Sequence, residues 1–243
     1  MCTVSFAAGL APGTGILTDM GSLTGTGLLT AAGSGLGPVG WAMGAVYLVA
    51  GAAVLRWAAH RAGRRVLGPG DRVTLVRAVL IGGVTALVAD GGHTWAVVAL
   101  ALPALLLDLV DGFVARRTAT ESDFGARFDM ETDAFLILVL SVHAVQFLGA
   151  WVLVIGAMRY VFGAAAWAAP WLAAPLPPSR ARKRVAALQG AALVAVAPAL
   201  LPVWAATVLV AVALAALVWS FGRDTVWLWR ARERGTNPVI RRK

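Results

Sequence analysis

The sequence predicts an all-α integral membrane protein. Of its 243 residues, 59% are hydrophobic and only 14% are charged, whereas about a quarter of an average soluble domain is charged. Seven apolar runs approach the roughly 20 residues that a helix needs to cross a bilayer. Most of the basic residues lie outside these runs, and none precedes Arg56. The runs cover residues 40–59, 73–89, 95–110, 134–149, 152–171, 186–203 and 204–220.

The breaks between the runs predict an orientation. Those after residues 59, 110 and 171 and the C-terminal tail contain Arg or Lys, whereas the breaks near residues 90, 149 and 202 contain neither. Loops rich in Lys and Arg remain cytoplasmic. We therefore expect a multi-pass protein of the cell membrane with a cytoplasmic C-terminus. The basic residues behind the net charge of +9 are concentrated in the breaks predicted to be cytoplasmic. The topology therefore accounts for the charge, and we expect no nucleic-acid partner.

The chain divides into four predicted segments. Residues 1–38 are rich in Gly, Thr and Ser and are expected to form a flexible extension. Residues 39–68 would be an N-terminal span followed by a basic juxtamembrane helix, and residues 69–222 a catalytic core of six spans. Residues 223–243 would be a basic cytoplasmic tail. Because Cys2 is the only cysteine, the chain forms no internal disulfide.

A cluster of carboxylates carries the chemistry. Seven of the twelve acidic residues lie between Asp108 and Asp133. Asp108 and Asp111 are three positions apart and Asp129 and Asp133 four, so each pair lies on one face of a helix. The two helices are consecutive and antiparallel, which would bring the four carboxylates together at the cytosolic mouth. Oxygen-only ligands favour Mg²⁺, or Mn²⁺ in its place, and two such ions can orient a diphosphate.

Other residues of this segment suit a nucleotide. Gly112 and Gly125 would allow close approach to the backbone, and Arg116 would meet phosphate charge. The alternative is that the acids form salt bridges with neighbouring arginines at the membrane surface. Salt bridges could explain any one of the carboxylates. They do not explain why eight residues of this segment, acidic and non-acidic, have a spacing that suits a metal and nucleotide site.

This segment resembles the signature of the CDP-alcohol phosphatidyltransferase family, D-x2-D-G-x2-A-R-x8-G-x3-D-x3-D, at every fixed position. The spans within residues 73–220 also resemble the family's core in order and topology. The resemblance therefore implies a six-helix transmembrane bundle of the CDP-alcohol phosphatidyltransferase type, with one extra N-terminal span. The family further implies a homodimer.

The resemblance implies a phospholipid-forming reaction. An alcohol hydroxyl would attack a CDP-linked lipid, usually CDP-diacylglycerol, and release CMP. In the family pattern Asp108, Asp111 and Asp129 are the principal metal ligands. Asp133 would be the general base and also touch a metal. The residues that would line the cytidine diphosphate pocket are Gly112, Ala115, Arg116 and Gly125.

A second match lies upstream. The family often has P-N-x2-T-x2-R at the entry to its first core helix, and this chain has Pro69, Asp71, Thr74 and Arg77 in that register. The resemblance implies that Asp71, Thr74 and Arg77 contact the CDP-lipid. Asp71 replaces the usual Asn, which leaves its role open, and Thr74 could equally cap the helix.

Three basic residues are candidates for binding the acceptor alcohol: Arg159, Lys183 and Arg223. A converging cationic trio would suit an acceptor with its own phosphate, such as glycerol phosphate or inositol phosphate. A neutral acceptor such as serine or free inositol remains an alternative. The basic residues could also be structural or anchor the chain to the inner leaflet.

Two other classes compete with a phosphatidyltransferase. A cation transporter would need carboxylates near the bilayer midplane on several helices, but here they gather in one cytosolic turn. A membrane prenyltransferase also binds Mg²⁺-diphosphate through acidic motifs, usually from two separate loops. The single cluster favours the phosphatidyltransferase.

Overall fold

The computed structural model describes residues 35–61, 69–91, 94–118, 123–174, 176–177 and 179–233. Side chains are described there except at 55–61, 69–74, 109–118 and 123–128. Two short 3-10 turns, Ala150–Val152 and Pro170–Ala173, accompany the α-helices. The α-helices are α1 (Pro38–Arg61), α2 (Pro69–Ala89), α3 (Thr94–Thr118), α4 (Asp123–Leu148), α5 (Leu153–Ala168), α6 (Arg180–Val196) and α7 (Val203–Glu233).

The all-α fold class is confirmed, and the helices follow the order of the seven predicted spans. The turn predicted at Gly149 is present, and this glycine has a φ of 90°, which residues with a side chain rarely adopt. The predicted flexible extension, 1–38, lies outside the described residues up to position 34. The last ten residues of the predicted tail lie outside them too.

Two predicted spans end earlier than the apolar pattern suggested. Helix α5 stops at Ala168 and α6 at Val196, although the apolar runs continue to residues 171 and 203. Pro170 and Pro198 explain the difference, because proline has no N–H to donate and disfavours helical geometry in the residue before it. Helix α6 also begins at Arg180 instead of 186, so Lys183 lies on this helix.

Helix α7 extends well beyond the predicted span. The apolar run ends at residue 220, but the helix continues to Glu233. Ser220, Asp224 and Leu228 are buried at intervals of four, which places them on one face of the helix. Residues 223–233 are therefore helical and belong to α7.

Three helical stretches are long and apolar enough to cross a membrane, by length and composition: Asp129–Leu148, Ala150–Ala168 and Val203–Glu233. The apolar stretches described in α1, α2 and α3 are shorter. Large apolar side chains such as Val212 and Trp219 on α7 are more than half exposed. Such exposure is unfavourable in water and expected in lipid.

The chain forms two compact units, the first comprising Met1–Gly92 with Leu106–Asp129. In this unit α1 packs on α2. A Cβ added to Gly82 would lie 2.9 Å from a ring carbon of Tyr47, so the glycine permits the close approach. Asp90 accepts hydrogen bonds from the backbone N–H groups of Gly37 (2.5 Å) and Gly40 (3.4 Å). A carboxylate at a helix N-terminus satisfies unpaired N–H groups, and here it ties α1 to the end of α2.

The second unit comprises His93–Leu105 and Met130–Lys243. Helices α4 and α5 meet at Gly156, where an added Cβ would lie 2.6 Å from the Cα of Leu138. Helices α6 and α7 are joined by Gln189, whose Nε2 donates to the carbonyl oxygen of Ala213 at 2.8 Å. Small residues and interhelical hydrogen bonds of this kind hold helices together in lipid.

Candidate active site

Arg77 is the centre of the acidic site in the first unit. It lies on α2 with a fully buried side chain. Its Nη1 is 3.1 Å from Asp108 Oδ1 on α3 and donates to Asp129 Oδ1 on α4. A buried guanidinium requires such partners, because an unpaired charge is costly away from water. The family resemblance implied that Arg77 contacts the CDP-lipid, but it did not predict that Arg77 pairs with Asp108 and Asp129.

The donor chemistry at this point fits a divalent cation. Asp108 and Asp129 present carboxylate oxygens within 4.8 Å of each other, and both contact the same guanidinium nitrogen, so they can share one cation. Oxygens bind Mg²⁺ at about 2.1 Å, which leaves ligands of one ion at most about 4.2 Å apart. Both side chains are about one-third exposed and remain accessible. Two accessible carboxylates at this separation are therefore suitable ligands for a hard ion.

The other signature residues are placed by their helices. Asp111 follows Asp108 by three positions on α3, and Asp133 follows Asp129 by four on α4. Both pairs therefore lie in helices, as predicted, at spacings that place the two members of a pair on the same face. The side chains that lie outside the described residues are those of Asp71, Thr74, Asp111, Ala115 and Arg116; Gly112 and Gly125 lie in helices.

A cavity of about 590 Å³ lies within the second unit. Helices α4, α5, α6 and α7 contribute to its wall. Most lining residues are apolar, such as Ile155 and Leu217, but the wall also contains Asp133 and several cationic side chains. The charged lining residues are Asp133, Arg159, Arg182, Lys183 and Asp224. The cationic lining residues suit a ligand that bears negative charge.

Arg159 and Lys183, two of the three predicted acceptor-binding residues, line this cavity. Arg159 Nη2 is paired with Glu131 Oε1 at 2.5 Å. Their side chains are 36% and 58% exposed, and pairs this exposed contribute little to stability. Glu131 can thus yield to a stronger anion.

Arg223, the third candidate, is not among the residues that line the cavity, but it contacts two that are. Its Nη2 donates to Ser179 Oγ at 3.1 Å and to Asp224 Oδ1 at 3.3 Å. Arg182 Nη1 donates to the other oxygen of Asp224 at 3.3 Å. One buried carboxylate therefore holds two arginines, from α6 and α7.

Sequence reasoning missed Asp224, Arg182 and Gln189 as parts of this wall. Arg182 stood in a run of basic residues typical of a membrane anchor. Asp224 carried a usable signal, since it is an acid in a basic segment, four positions after Ser220 and four before Leu228.

Comparison with known proteins agrees with these observations. The family model for CDP-alcohol phosphatidyltransferase matches residues 70–219, which include the acidic segment, helices α4 to α6 and the first half of α7. No curated protein and no solved structure matches the chain. Because the match covers more than half of the chain and contains Asp108, Asp129 and Asp133, the chain belongs to the CDP-alcohol phosphatidyltransferase family and is a membrane-associated phosphotransferase.

Proposed function

We propose that this enzyme transfers the phosphatidyl group of CDP-diacylglycerol to the hydroxyl of a small phosphorylated alcohol and releases CMP, in phospholipid biosynthesis. Family membership establishes transfer from a CDP-alcohol to an acceptor. The observation that carries the finer assignment is the cavity in which Asp133 shares a wall with Arg159, Arg182 and Lys183. A proton-accepting carboxylate beside cations is what a phosphorylated alcohol needs.

The family's chemistry depends on a divalent metal, and we assign that role here to Mg²⁺, as two ions, with Mn²⁺ as the alternative. Following the signature, the ligands are Asp108, Asp111, Asp129 and Asp133. Such an ion neutralises diphosphate charge and stabilises the leaving phosphate. Arg77 would hold Asp108 and Asp129 close together and limit their mutual repulsion.

The CDP-lipid would be bound by the remaining signature residues. Arg116 supplies phosphate charge, and the small residues of the signature leave space for the nucleotide against the backbone. Upstream, the entry to α2 would contribute the further contacts that the family pattern implies. The assigned residues are Asp71, Thr74, Arg77, Gly112, Ala115, Arg116 and Gly125.

Asp133 would act as the general base. It accepts the proton of the acceptor hydroxyl, and the resulting oxygen attacks the phosphorus that bears the lipid alcohol. The bond from that phosphorus to the bridging oxygen breaks, and CMP leaves with the bond's electron pair. The position of Asp133 in the cavity wall supports its role as the base, because a base must lie within hydrogen-bond reach of the hydroxyl.

The acceptor's phosphate would be bound by Arg159, Lys183 and Arg223. Arg159 and Lys183 line the cavity, and Arg223 supports the wall through Ser179 and Asp224. A neutral acceptor such as serine or inositol is the second candidate, favoured only by the largely apolar wall. A cation transporter is no longer supported, because the matched family is enzymatic.

The cellular setting is also part of the proposal. The basic breaks of the sequence support a multi-pass protein of the cell membrane whose active site and C-terminus face the cytoplasm. The glycine- and alanine-rich helices would permit a homodimer.

CMP release by the purified protein tests the proposal. CDP-diacylglycerol and Mg²⁺ would be supplied with glycerol 3-phosphate, inositol 1-phosphate, inositol or serine. We expect release with a phosphorylated acceptor, and its loss by about 100-fold or more in Asp133→Asn, because a general base contributes about 10²–10⁴-fold. CDP-diacylglycerol binding should survive in this variant. Release with serine or inositol alone would refute the phosphorylated acceptor.

A further inference from the structure

The C-terminal end of α7 holds an arginine against two indole rings. The guanidinium carbon of Arg232 lies 5.8 Å from the ring centre of Trp171 and 5.4 Å from that of Trp229. The two rings also contact each other edge to face, with their centres 5.5 Å apart and their planes at 82°. Trp171 belongs to the 3-10 turn that follows α5, so the three side chains join two separate parts of the second unit. They are not among the residues that line the cavity.

This arrangement holds Arg232 but leaves its hydrogen-bond donors available. A cation–π contact joins the charge of the guanidinium to the face of a ring, so it uses none of the five N–H donors. Among the residues that the structure describes, no carboxylate pairs with Arg232. Glu233 is the only acidic residue after Asp224, and its Oε1 accepts a hydrogen bond from Trp229 Nε1 at 2.7 Å. Because Arg232 is also exposed, it can bind an anion.

The length of α7 places this group at the depth of the lipid headgroups. Val203–Glu233 is long and apolar enough to cross a membrane, and its 31 residues correspond to about 46 Å of helix. A bilayer is about 30 Å thick in its hydrocarbon core and about 40–45 Å thick with its headgroups. A helix of this length therefore reaches both headgroup layers. Trp204 lies near one end and Trp229 near the other, and tryptophan is enriched at both interfaces.

We propose that Arg232, held by Trp171 and Trp229, binds the headgroup of an anionic phospholipid at a site separate from the catalytic cavity. A guanidinium can donate two parallel N–H groups to one phosphate. An anionic headgroup fits better than a zwitterionic one, because Arg232 repels the ammonium group of a zwitterion and Glu233 is already bonded to Trp229. A bound headgroup would hold the end of α7 against the turn after α5.

Binding of single lipids to the intact chain tests the inference. The protein in detergent would be titrated with phosphatidylglycerol, which is anionic, or with phosphatidylcholine, which is zwitterionic, and followed by native mass spectrometry. We expect the Kd of the first bound lipid to be about 10-fold lower for phosphatidylglycerol, the value of a hydrogen bond to a charged group. Arg232→Gln should remove this preference.

Two matched controls separate a built site from diffuse charge. Trp171→Leu removes a ring but no charge, and it should weaken phosphatidylglycerol binding by about 3-fold. Trp167→Leu on α5 removes an indole that is 93% exposed and should leave binding unchanged. Arg184→Gln removes an exposed charge from α6, as Arg232→Gln does from α7, and should change binding by less than about 2-fold because salt screens distant surface charges.

Each contrary result would refute a named part of the inference. Equal Kd values for the two lipids in the wild-type protein would refute the site itself. Equal losses in Arg232→Gln and Arg184→Gln would reduce the preference to overall charge, and equal losses in Trp171→Leu and Trp167→Leu would remove the role of the rings. Displacement of the lipid by excess inorganic phosphate would make the ligand a free phosphate.

The same experiments distinguish this site from the catalytic one. Phosphatidylglycerol that entered the catalytic cavity would bind Arg232→Gln as tightly as wild type, which would also refute the proposal. If Trp171→Leu does not fold, as thermal unfolding would show, the two arginine variants decide. CMP release is a separate measurement, so the proposed reaction stands or falls independently of lipid binding at Arg232.

Discussion

Replacing Arg77 with methionine should destabilise the protein, and saturating Mg²⁺ should reverse most of the loss. Arg77 is fully buried and bridges Asp108 and Asp129. Removing one partner of a fully buried ion pair costs about 3–5 kcal/mol. Because the two carboxylates are about one-third exposed, solvent screening reduces the expected cost to about 2–3 kcal/mol. A cation that takes the guanidinium's place should recover about 2.7 kcal/mol at 100 times its Kd.

Thermal unfolding in detergent, followed by tryptophan fluorescence, would measure both effects. Arg77→Met and the wild-type protein would be compared in EDTA and in saturating Mg²⁺. The matched control is Arg159→Met, because the Arg159–Glu131 pair is exposed and its loss should cost about 0–1 kcal/mol. Unchanged stability of Arg77→Met in EDTA would refute the reasoning. Equal Mg²⁺ stabilisation of wild type and variant would show that the ion does not take the place of the guanidinium between Asp108 and Asp129.

Two other substitutions test the cavity and the packing of the second unit. Asp224→Asn should raise KM for the acceptor by about 10-fold with little change in kcat, because Arg182 and Arg223 lose their shared carboxylate. The control is Glu233→Gln, also on α7, which should change neither constant. Steady-state kinetics would measure both variants. Gly156→Ala should lower thermal stability by about 1–3 kcal/mol, since its Cβ would lie 2.6 Å from the Leu138 Cα. Gly163→Ala on the same helix meets nothing within 4 Å and should be neutral or stabilising by up to about 1 kcal/mol, so equal losses in the two would refute the packing argument.

The helices were predictable because lipid imposes a simple rule. A chain in hydrocarbon must satisfy its backbone hydrogen bonds internally, so each long apolar run becomes a helix, as the seven α-helices among the described residues confirm. Their ends were less predictable. Pro170 and Pro198 end helices α5 and α6 inside runs that are apolar throughout. Helix α7 instead continues beyond its apolar run, because Asp224 and Leu228 on one of its faces are buried.

The acidic segment was predictable because all of its residues lie in one continuous stretch of the chain, where their spacing can be read directly. The pairing of Arg77 with Asp108 and Asp129 was not, since it joins residues 31 and 52 positions away and no local pattern reports such contacts. The same holds for Asp224, whose partner Arg182 is 42 positions away. Local spacing therefore predicted a candidate ligand set, whereas the groups that contact it became visible only in the tertiary structure.

The two arginines that line the cavity differ in how firmly they are held. Arg159 pairs with Glu131, whose side chain is 58% exposed, whereas Arg182 pairs with Asp224, whose side chain is 12% exposed. Displacing an exposed carboxylate costs about 0–1 kcal/mol, because water readily solvates it, but displacing a buried one leaves a charge without solvent. An entering phosphate would therefore recruit Arg159 from Glu131, while Arg182 stays with Asp224. Under the proposed reaction the product keeps that phosphate and must leave, and Glu131 then provides the exchangeable anion that returns Arg159 to its resting pair.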